Sequence, residues 1–344
     1  MPKHNIGIDL GTGYIKIFVS GKGIVLSEAT AITYDSYTEQ ILAIGNEAKK
    51  MLEKTPETIE LVLPIDSGVI SEFSSVEQIL SFFVKYICKK SIFRPNIIIT
   101  APSSITELEK KTIVEVICSS GAGKVSLIDE PIASALGVGL TIDYPHGVMV
   151  VDIGSGTCDI AVISMGEVVV SNSLKIAGDD FDAAIVQYLK RERGILIGLQ
   201  TAEKIKKTIG CAYKREVEFE MSVNGKDAVT LMPKIFTVTS TEIYDALKES
   251  IEMIFERIKD VLEQADPELC TDIFNEGIRL CGGSAKLYGF KKAFEDKFGV
   301  DLILYDDPEH AAAKGAGYAL KDIDSLVDNG YAYRSKEIVN GLVE

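Results

Sequence analysis

Asp9-Leu10-Gly11-Thr12-Gly13 and Asp152-Ile153-Gly154-Ser155-Gly156 are two versions of one short text, one in each half of a 344-residue chain. An apolar run precedes each (Asn5-Ile6-Gly7-Ile8; Val148-Met149-Val150-Val151), and another follows (Tyr14-Ile15-Lys16-Ile17-Phe18-Val19; Asp159-Ile160-Ala161-Val162-Ile163). The pattern predicts the same β-hairpin twice, with a turn rich in glycine and hydroxyls and an Asp ending the first strand. Glycines there allow positive φ and close approach to a ligand, and converging backbone N–H groups favour an anion. The Asp can hold a cation through water, since Mg²⁺ needs only one or two carboxylates. A single such turn is unspecific. Two copies, each closing its own half, predict a duplicated α/β fold whose lobes clamp a nucleotide triphosphate.

Working outward from the first hairpin, short strands are expected within 24–44, a short helix over 45–54 and an extended stretch over 61–70. Val76, Ile79, Leu80, Phe83, Val84 and Ile87 repeat at helical spacing up to Lys90. Ser91-Ile92-Phe93-Arg94-Pro95 follows, an apolar pair among basic residues that reads either as a loop folded onto the core or as a membrane-touching loop. A capping box at Thr106-Glu107-Leu108-Glu109 opens a helix to about Ser119. The strand Val125–Ile128 then ends at Asp129-Glu130-Pro131, with a helix beyond. In the second half, Ala177-Gly178-Asp179-Asp180 starts a helix, and Thr201–Ile209 is another, stopped by Gly210. Residues 216–231 read as paired strands turning at Asn224-Gly225, and 242–264 as a long amphipathic helix. The strand Ile278–Cys281 runs into Gly282-Gly283-Ser284, a further nucleotide-loop candidate. A last helix is expected over 309–320, and a polar tail from about 325.

Composition narrows the class. Hydrophobic residues make up 46% of the chain, enough for two domains with full cores. A net charge of −15 argues against nucleic acid as a partner, because neutralising phosphates requires a basic surface. Six cysteines without CxxC spacing read as reduced thiols of a cytosolic protein. The three histidines are scattered, and no apolar run reaches the roughly 18 residues of a membrane span. Met1-Pro2-Lys3-His4 leads directly into the first strand, so no signal peptide is expected.

Among single residues, Glu130 follows a strand amid apolar neighbours, where a carboxylate can orient an attacking water or take its proton; it reads equally as a helix-start carboxylate. Glu203 and Lys206, three apart on one helix face, read alone as a solvated pair.

Taken together, Ile8-Asp9-Leu10-Gly11-Thr12, Leu127-Ile128-Asp129-Glu130-Pro131-Ile132-Ala133, Val151-Asp152-Ile153-Gly154-Ser155-Gly156-Thr157 and Cys281-Gly282-Gly283-Ser284 resemble, in order, the phosphate-1, connect-1, phosphate-2 and adenosine motifs of the actin/Hsp70/sugar-kinase ATPases. Gly45-Asn46-Glu47-Ala48, Pro64-Ile65-Asp66-Ser67-Gly68-Val69-Ile70, Ile176-Ala177-Gly178-Asp179-Asp180 and Ala313-Lys314-Gly315-Ala316-Gly317 are similar to one branch, the MreB bacterial actins. The resemblance covers residues 5 to about 322. It implies a duplicated actin-like (ribonuclease H-like) fold of two domains, each with a mixed five-stranded sheet and a smaller subdomain. The implied bounds are 1–32, 66–146 and about 321–344 (IA), 33–65 (IB), 147–180 with 250–320 (IIA), and 181–249 (IIB).

The resemblance further implies ATP or ADP in the cleft and Mg²⁺ held through water by Asp9 and Asp152. Gly11, Thr12, Gly13, Tyr14, Gly154, Ser155, Gly156 and Thr157 surround the phosphates. Gly178, Glu203, Lys206, Gly282, Gly283 and Ser284 surround the nucleoside, and Glu130 positions the hydrolytic water. Ile92 and Phe93 match the family's bilayer-touching loop, and no amphipathic stretch precedes the first strand to share that task. The expected partners are the chain itself, in filaments including paired protofilaments, the inner face of the cell membrane, and paralogues of the family. The expected role is cell shape, or motility in a wall-less cell. Two departures stand out. Tyr14 replaces an Asn-like residue, and Cys158 replaces the second of two threonines, whose hydroxyl aligns the water in relatives. A thiol is a weak hydrogen-bonding group, so slow hydrolysis is expected. The alternatives are a non-polymerising ATP-binding adaptor, an Hsp70-type ATPase and a sugar kinase.

Overall fold

The structure, a computed structural model, describes residues 5–88, 94–101, 106–120, 122–320 and 333–335. Both expected hairpins are present. Asn5–Leu10 pairs antiparallel with Tyr14–Val19, and Val148–Ile153 with Cys158–Ser164. Each continues antiparallel into a third strand (Gly23–Ala29; Glu167–Leu174). On its other side each first strand takes two parallel neighbours: Asn96–Ala101 then Lys124–Asp129 in one half, Ile278–Cys281 then Leu302–Leu304 in the other. The two sheets thus repeat one strand order, 3-2-1-4-5, numbering each half separately, as a duplicated fold requires.

Two differences from the sequence reading have clear causes. Tyr333–Ser335 adds a sixth, antiparallel strand at the edge beside Lys124–Asp129, inside what reads as polar tail; an open edge strand presents unpaired N–H and C=O groups that a short extended segment can satisfy. The turn expected at Asn224-Gly225 lies instead within the strand Glu220–Asp227, which pairs with Pro233–Thr239. The chain reverses after Asp227, whose carboxylate accepts the N–H groups of Val229 (3.0 Å) and Thr230 (2.9 Å), so an Asx turn outcompetes the Asn-Gly signal. This hairpin and Ile195–Leu196 form one small sheet, and Ile41–Ile44, Ile32–Asp35 and Ile59–Val62 form another.

Alternation along the central strands divides the interior. Ile6, Ile8, Ile15 and Ile17 pack under the helices Phe73–Cys88 and Glu107–Ser119. Met149, Val151, Ile153, Ile160 and Val162 pack under Gly178–Arg193 and Ser240–Gln264. A third cluster joins the halves through Ile98, Ile128, Val150, Ala161 and Ile163 with the helices Glu130–Gly137 and Ala311–Ala319. Those two helices touch backbone to backbone. A Cβ on Gly315 would lie 1.7 Å from the Ala133 carbonyl oxygen, and one on Gly137 1.9 Å from that of Ala311. This closely packed pair fixes the floor on which the two hairpin turns face each other.

Candidate nucleotide site

Between the halves lies a cleft of about 740 Å³, lined by both hairpin turns and by Glu130, Gly178, Lys206 and Gly282–Ser284. The turns interlock. The Gly13 N–H donates to Ser155 Oγ at 2.7 Å, and Thr12 Oγ1 accepts the Gly68 N–H at 2.9 Å. Gly11, Gly13, Gly154 and Gly156 do not adopt positive φ. Their smallness serves proximity instead, since a Cβ on Gly13 would lie 2.7 Å from Ser155 Oγ and one on Gly156 2.6 Å from Thr12 Oγ1. Gly282 does need the left-handed region (φ 85°), and a Cβ there would lie 2.1 Å from the Ile153 carbonyl oxygen. Ser284 Oγ donates to the Gly154 carbonyl at 2.7 Å, so the third loop is tied to the second.

The hairpin registers decide which side chains share a sheet face. Asp9 stands opposite Lys16, and Asp152 opposite Asp159. Antiparallel partners share a face, so the first hairpin offers a carboxylate with an ammonium and the second offers two carboxylates. Lys16 Nζ donates to Asp9 at 2.7 Å, and Ser134 Oγ donates to Asp152 at 2.7 Å. Glu130, the first residue of Glu130–Gly137, lines the cleft with Asp9, Asp152 and the ammonium of Lys16, while the buried Asp159 carboxylate does not line it but is near enough to repel Glu130. Desolvation, reinforced by Asp159, Asp9 and Asp152, pushes Glu130 well above the usual carboxylate range. Desolvation likewise pushes Asp152 up to about 7 against the Ser134 hydrogen bond. The Asp159 Oδ2 oxygen is buried without a hydrogen-bond partner. The three carboxylates that line the cleft floor, Asp9, Glu130 and Asp152, fit a hydrated divalent cation, which takes oxygen ligands.

This chemistry sets a pH dependence. Asp152 near 7 and Asp182, raised by desolvation to about 6, hold protons in the folded state that the unfolded chain releases near 3.8. Where the folded state binds more protons, stability falls as pH rises. Each group contributes up to about 1.4 kcal/mol per pH unit between its two pKa values. Carboxylates with lowered values, such as Glu203 and Asp307, act oppositely, but only below their ordinary 4.5 and 3.8. The melting temperature in EDTA without nucleotide is therefore expected to fall from pH 5.5 to 7, and to fall less with saturating Mg-ATP. A flat or rising profile in EDTA would refute the placement of these protons.

The structure relocates Cys158. It stands opposite Ile153 and packs in the core with Val151, Ile160, Ala177 and Phe181, fully buried and away from the cleft wall. The hydroxyl that does line the cleft beside Gly156 is that of Thr157. The Cys158 side chain therefore does not line the cleft, so a direct part for it in aligning the water finds no support in its position. The signal was legible in strand alternation: Asp159 shares the sheet face of its partner Asp152, and Cys158 takes the opposite face. Cys158→Thr is accordingly expected to leave the phosphate-release rate unchanged and to lower stability by about 1–3 kcal/mol, by burying a hydroxyl among apolar groups. A faster rate would restore the earlier reading.

Glu203 and Lys206 both line the cleft but do not pair with each other. Glu203 binds Lys207 (2.7 Å) and Lys49 (3.2 Å), whereas Lys206 binds Asp182 (2.9 Å) and the Gly178 carbonyl (2.6 Å). Lys49, which sequence reasoning passed over, also donates to the Tyr14 hydroxyl at 3.1 Å. Gln200 Nε2 donates to the carbonyls of Lys49 and Leu52, each at 3.0 Å, so the helix Leu199–Ile209 meets the segment that follows the strand Ile41–Ile44. Lys16, Asp159, Arg215 and Tyr288 were likewise missed; the first two were available from the register of the hairpins. Ile92 and Phe93 lie outside the described residues. No helix among the described residues is long and apolar enough to cross a membrane.

Two matching hairpins clamping a carboxylate-floored cleft define an actin-like nucleotide-binding fold. Residues 3–328 match the family profile described as MreB/Mbl protein. The chain belongs to the MreB/Mbl family. It is 43% identical to the cell shape-determining protein Mbl of Bacillus cereus over 323 residues, 94% of this chain and 97% of that one. It is 40% identical to the cell shape-determining protein MreB of Escherichia coli over 330 residues, 94% and 95% of the two chains. Among solved structures, MreB5 of Spiroplasma citri bound to ADP superposes with a TM-score of 0.90 at 34% identity, covering 95% of this chain and 99% of that one. The MamK double helical filament shares the fold, with a TM-score of 0.79 at 18% identity, covering 93% and 99%.

Proposed function

We propose that this chain binds ATP in the cleft, hydrolyses it, and assembles into membrane-associated cytoskeletal filaments that govern cell shape, or motility in a wall-less cell. The observation that carries the reading is the interlock of the two turns, Gly13 against Ser155 and Gly156 against Thr12, in a cleft lined by the carboxylates of Asp9, Glu130 and Asp152. The ADP-bound and AMPPNP-bound MreB5 structures support the ligand, the MamK filament supports assembly, and the names of the relatives support the cellular role. In this reading the chain has four subdomains with the bounds given above, and the filaments lie at the inner face of the membrane.

Each residue then has a task. The turn backbones and the hydroxyls of Thr12, Ser155 and Thr157 surround the phosphates, and Lys206 with Gly178 and Gly282–Ser284 hold the nucleoside end. Asp9, oriented by Lys16, and Asp152, oriented by Ser134, would hold Mg²⁺ through water. Bound there, the cation would neutralise phosphate charge and offset the crowded carboxylates. Glu130 orients the attacking water and accepts its proton.

Sedimentation and phosphate release, measured side by side with Mg-ATP and with EDTA, test the reading. Mg-ATP-dependent pelleting with filaments in the electron microscope and phosphate release is expected. Nucleotide binding without pelleting would favour the non-polymerising adaptor. For the membrane, an Ile92→Ser/Phe93→Ser variant is expected to lose most liposome co-sedimentation while polymerising normally, and unchanged co-sedimentation would move the contact elsewhere.

A further inference from the structure

Away from the cleft lining, the two halves are joined by a contact whose central residue is strained. Glu53 lies at φ 60°, in the left-handed region that a non-glycine residue rarely adopts. It follows the short helix Asn46–Lys49 and its trailing turns, in which the Leu52 N–H donates to the Lys49 carbonyl at 3.1 Å and the Lys54 N–H to the Met51 carbonyl at 2.9 Å. At such a helix exit the backbone favours glycine. A glutamate is held there against that preference, which requires compensation from its side chain.

That side chain reaches the other half. Glu53 Oε1 accepts the Leu199 N–H at 3.0 Å. Leu199 opens the helix Leu199–Ile209, whose N-cap residue, Gly198, has no side chain to satisfy an N–H of the first turn. Glu53 therefore caps this helix from the opposite half, and its negative charge meets the positive end of the helix dipole. The fit is close: a Cβ on Gly198 would lie 2.1 Å from Glu53 Oε2 and 2.8 Å from its Cδ. Gln200 extends the contact, since besides donating to the Lys49 and Leu52 carbonyls it accepts Lys54 Nζ on Oε1 at 3.1 Å. Glu53, Leu199 and Gln200 do not line the cleft, whereas Glu203, one turn further along the same helix, does. The contact thus needs no ligand atom, yet it holds the helix that carries Glu203 and Lys206 into the cleft wall.

We propose that Glu53 is a clasp between the two halves: it holds them together over the cleft and slows the passage of nucleotide in both directions. The proposal rests on the nucleotide reading above and adds what sets the rate of exchange. A contact made equally with and without ligand leaves affinity unchanged, because only a differential interaction shifts an equilibrium. It does lower the population of the open form through which nucleotide enters and leaves. Removing the clasp is therefore expected to speed association and dissociation alike, whereas losing a ligand contact speeds dissociation alone.

Stopped-flow mixing of the full chain with Mg²⁺ and methylanthraniloyl-labelled ATP, chased with unlabelled ATP at a protein concentration that does not sediment, measures both rates. In Glu53→Ala each is expected to rise roughly three- to tenfold, the range of one helix cap lost from an exposed position, with the dissociation constant within about twofold of wild type. Glu53→Gln, which keeps the length and an acceptor oxygen, is expected to fall between. Gly198→Ala, whose methyl would push the Glu53 carboxylate off the helix end, is expected to match Glu53→Ala, and the double variant to go no further, as two changes to one contact do not add. Glu53→Gly separates strain from capping, with the fast rates of Glu53→Ala but a higher melting temperature, since glycine accepts the left-handed conformation. Amide hydrogen exchange at Leu199, followed by mass spectrometry without nucleotide, is expected to quicken in Glu53→Ala. Wild-type rates in Glu53→Ala, faster dissociation with proportionally weaker binding, or unchanged exchange at Leu199 would each overturn the proposal. A wild type that binds no labelled ATP would instead remove the nucleotide reading, and the exchange at Leu199 would then still decide whether Glu53 joins the halves.

Discussion

Glu130→Gln is expected to reduce phosphate release from Mg-ATP by about two to three orders of magnitude, the usual share of a positioned general base, while the affinity for Mg-ATP stays within a few-fold of wild type. The substitution keeps the length and a hydrogen-bonding head but removes the atom that accepts the proton. Glu130 is placed for that task by a rigid element. It opens the helix Glu130–Gly137, Pro131 follows it, and the helix is locked against Ala311–Ala319 by the Gly315 and Gly137 contacts. Its proton affinity is raised by desolvation and by Asp159, Asp9 and Asp152. A carboxylate whose proton affinity is raised is a stronger base than one at its ordinary value, and a cation beside it would lower that affinity again. Because the floor carries more carboxylate than ammonium, removing one negative charge is also expected to leave the empty protein slightly more stable. A single-turnover assay separates binding from chemistry. Hydrolysis at the wild-type rate in Glu130→Gln would remove Glu130 from the role of general base.

The fold was legible because its evidence is periodic and repeated. Two apolar–Asp–Gly–apolar texts dictate two hairpins, and the capping box at Thr106 and the Gly210 stop appear where the sequence places them. Errors arose where two local signals compete. At Asn224-Gly225 a strong turn dipeptide lost to Asp227, since only the latter lies where the neighbouring strand runs out. At Cys158 a motif alignment identified the position, but the facing of the side chain depends on strand alternation, which puts Asp159, not Cys158, on the face of Asp152. The cross-cleft partners were out of reach for another reason. Lys49 with Glu203, Gln200 with Leu52 and Arg215 with Tyr288 join segments far apart in the chain, and nothing in the local text of either segment reports the other.

Gly156→Ala is expected to weaken Mg-ATP binding by at least about a hundredfold, the cost of roughly an ångström of misplacement in a phosphate-contacting loop. One added methyl has this effect because of where it would sit. It would lie 2.6 Å from Thr12 Oγ1, 2.7 Å from Cγ2 and 2.8 Å from Cβ, so the two turns cannot keep their present separation. Thr12 cannot simply rotate away, since its hydroxyl holds the Gly68 N–H at 2.9 Å. The displacement therefore falls on the turns themselves, and with them on the Gly13–Ser155 hydrogen bond. Elsewhere the same substitution would be mild or favourable, because Gly156 does not occupy the left-handed region and alanine lowers the entropy of the unfolded chain. Adding Thr12→Gly removes all three clashing atoms, so the double variant is expected to regain part of the lost affinity despite forfeiting the Thr12 hydroxyl. Such recovery is the coupling expected of residues in direct contact. Wild-type affinity in Gly156→Ala, or no recovery in the double variant, would mean that the turns do not meet in the nucleotide-bound state and that the clamp closes on the phosphates by some other contact.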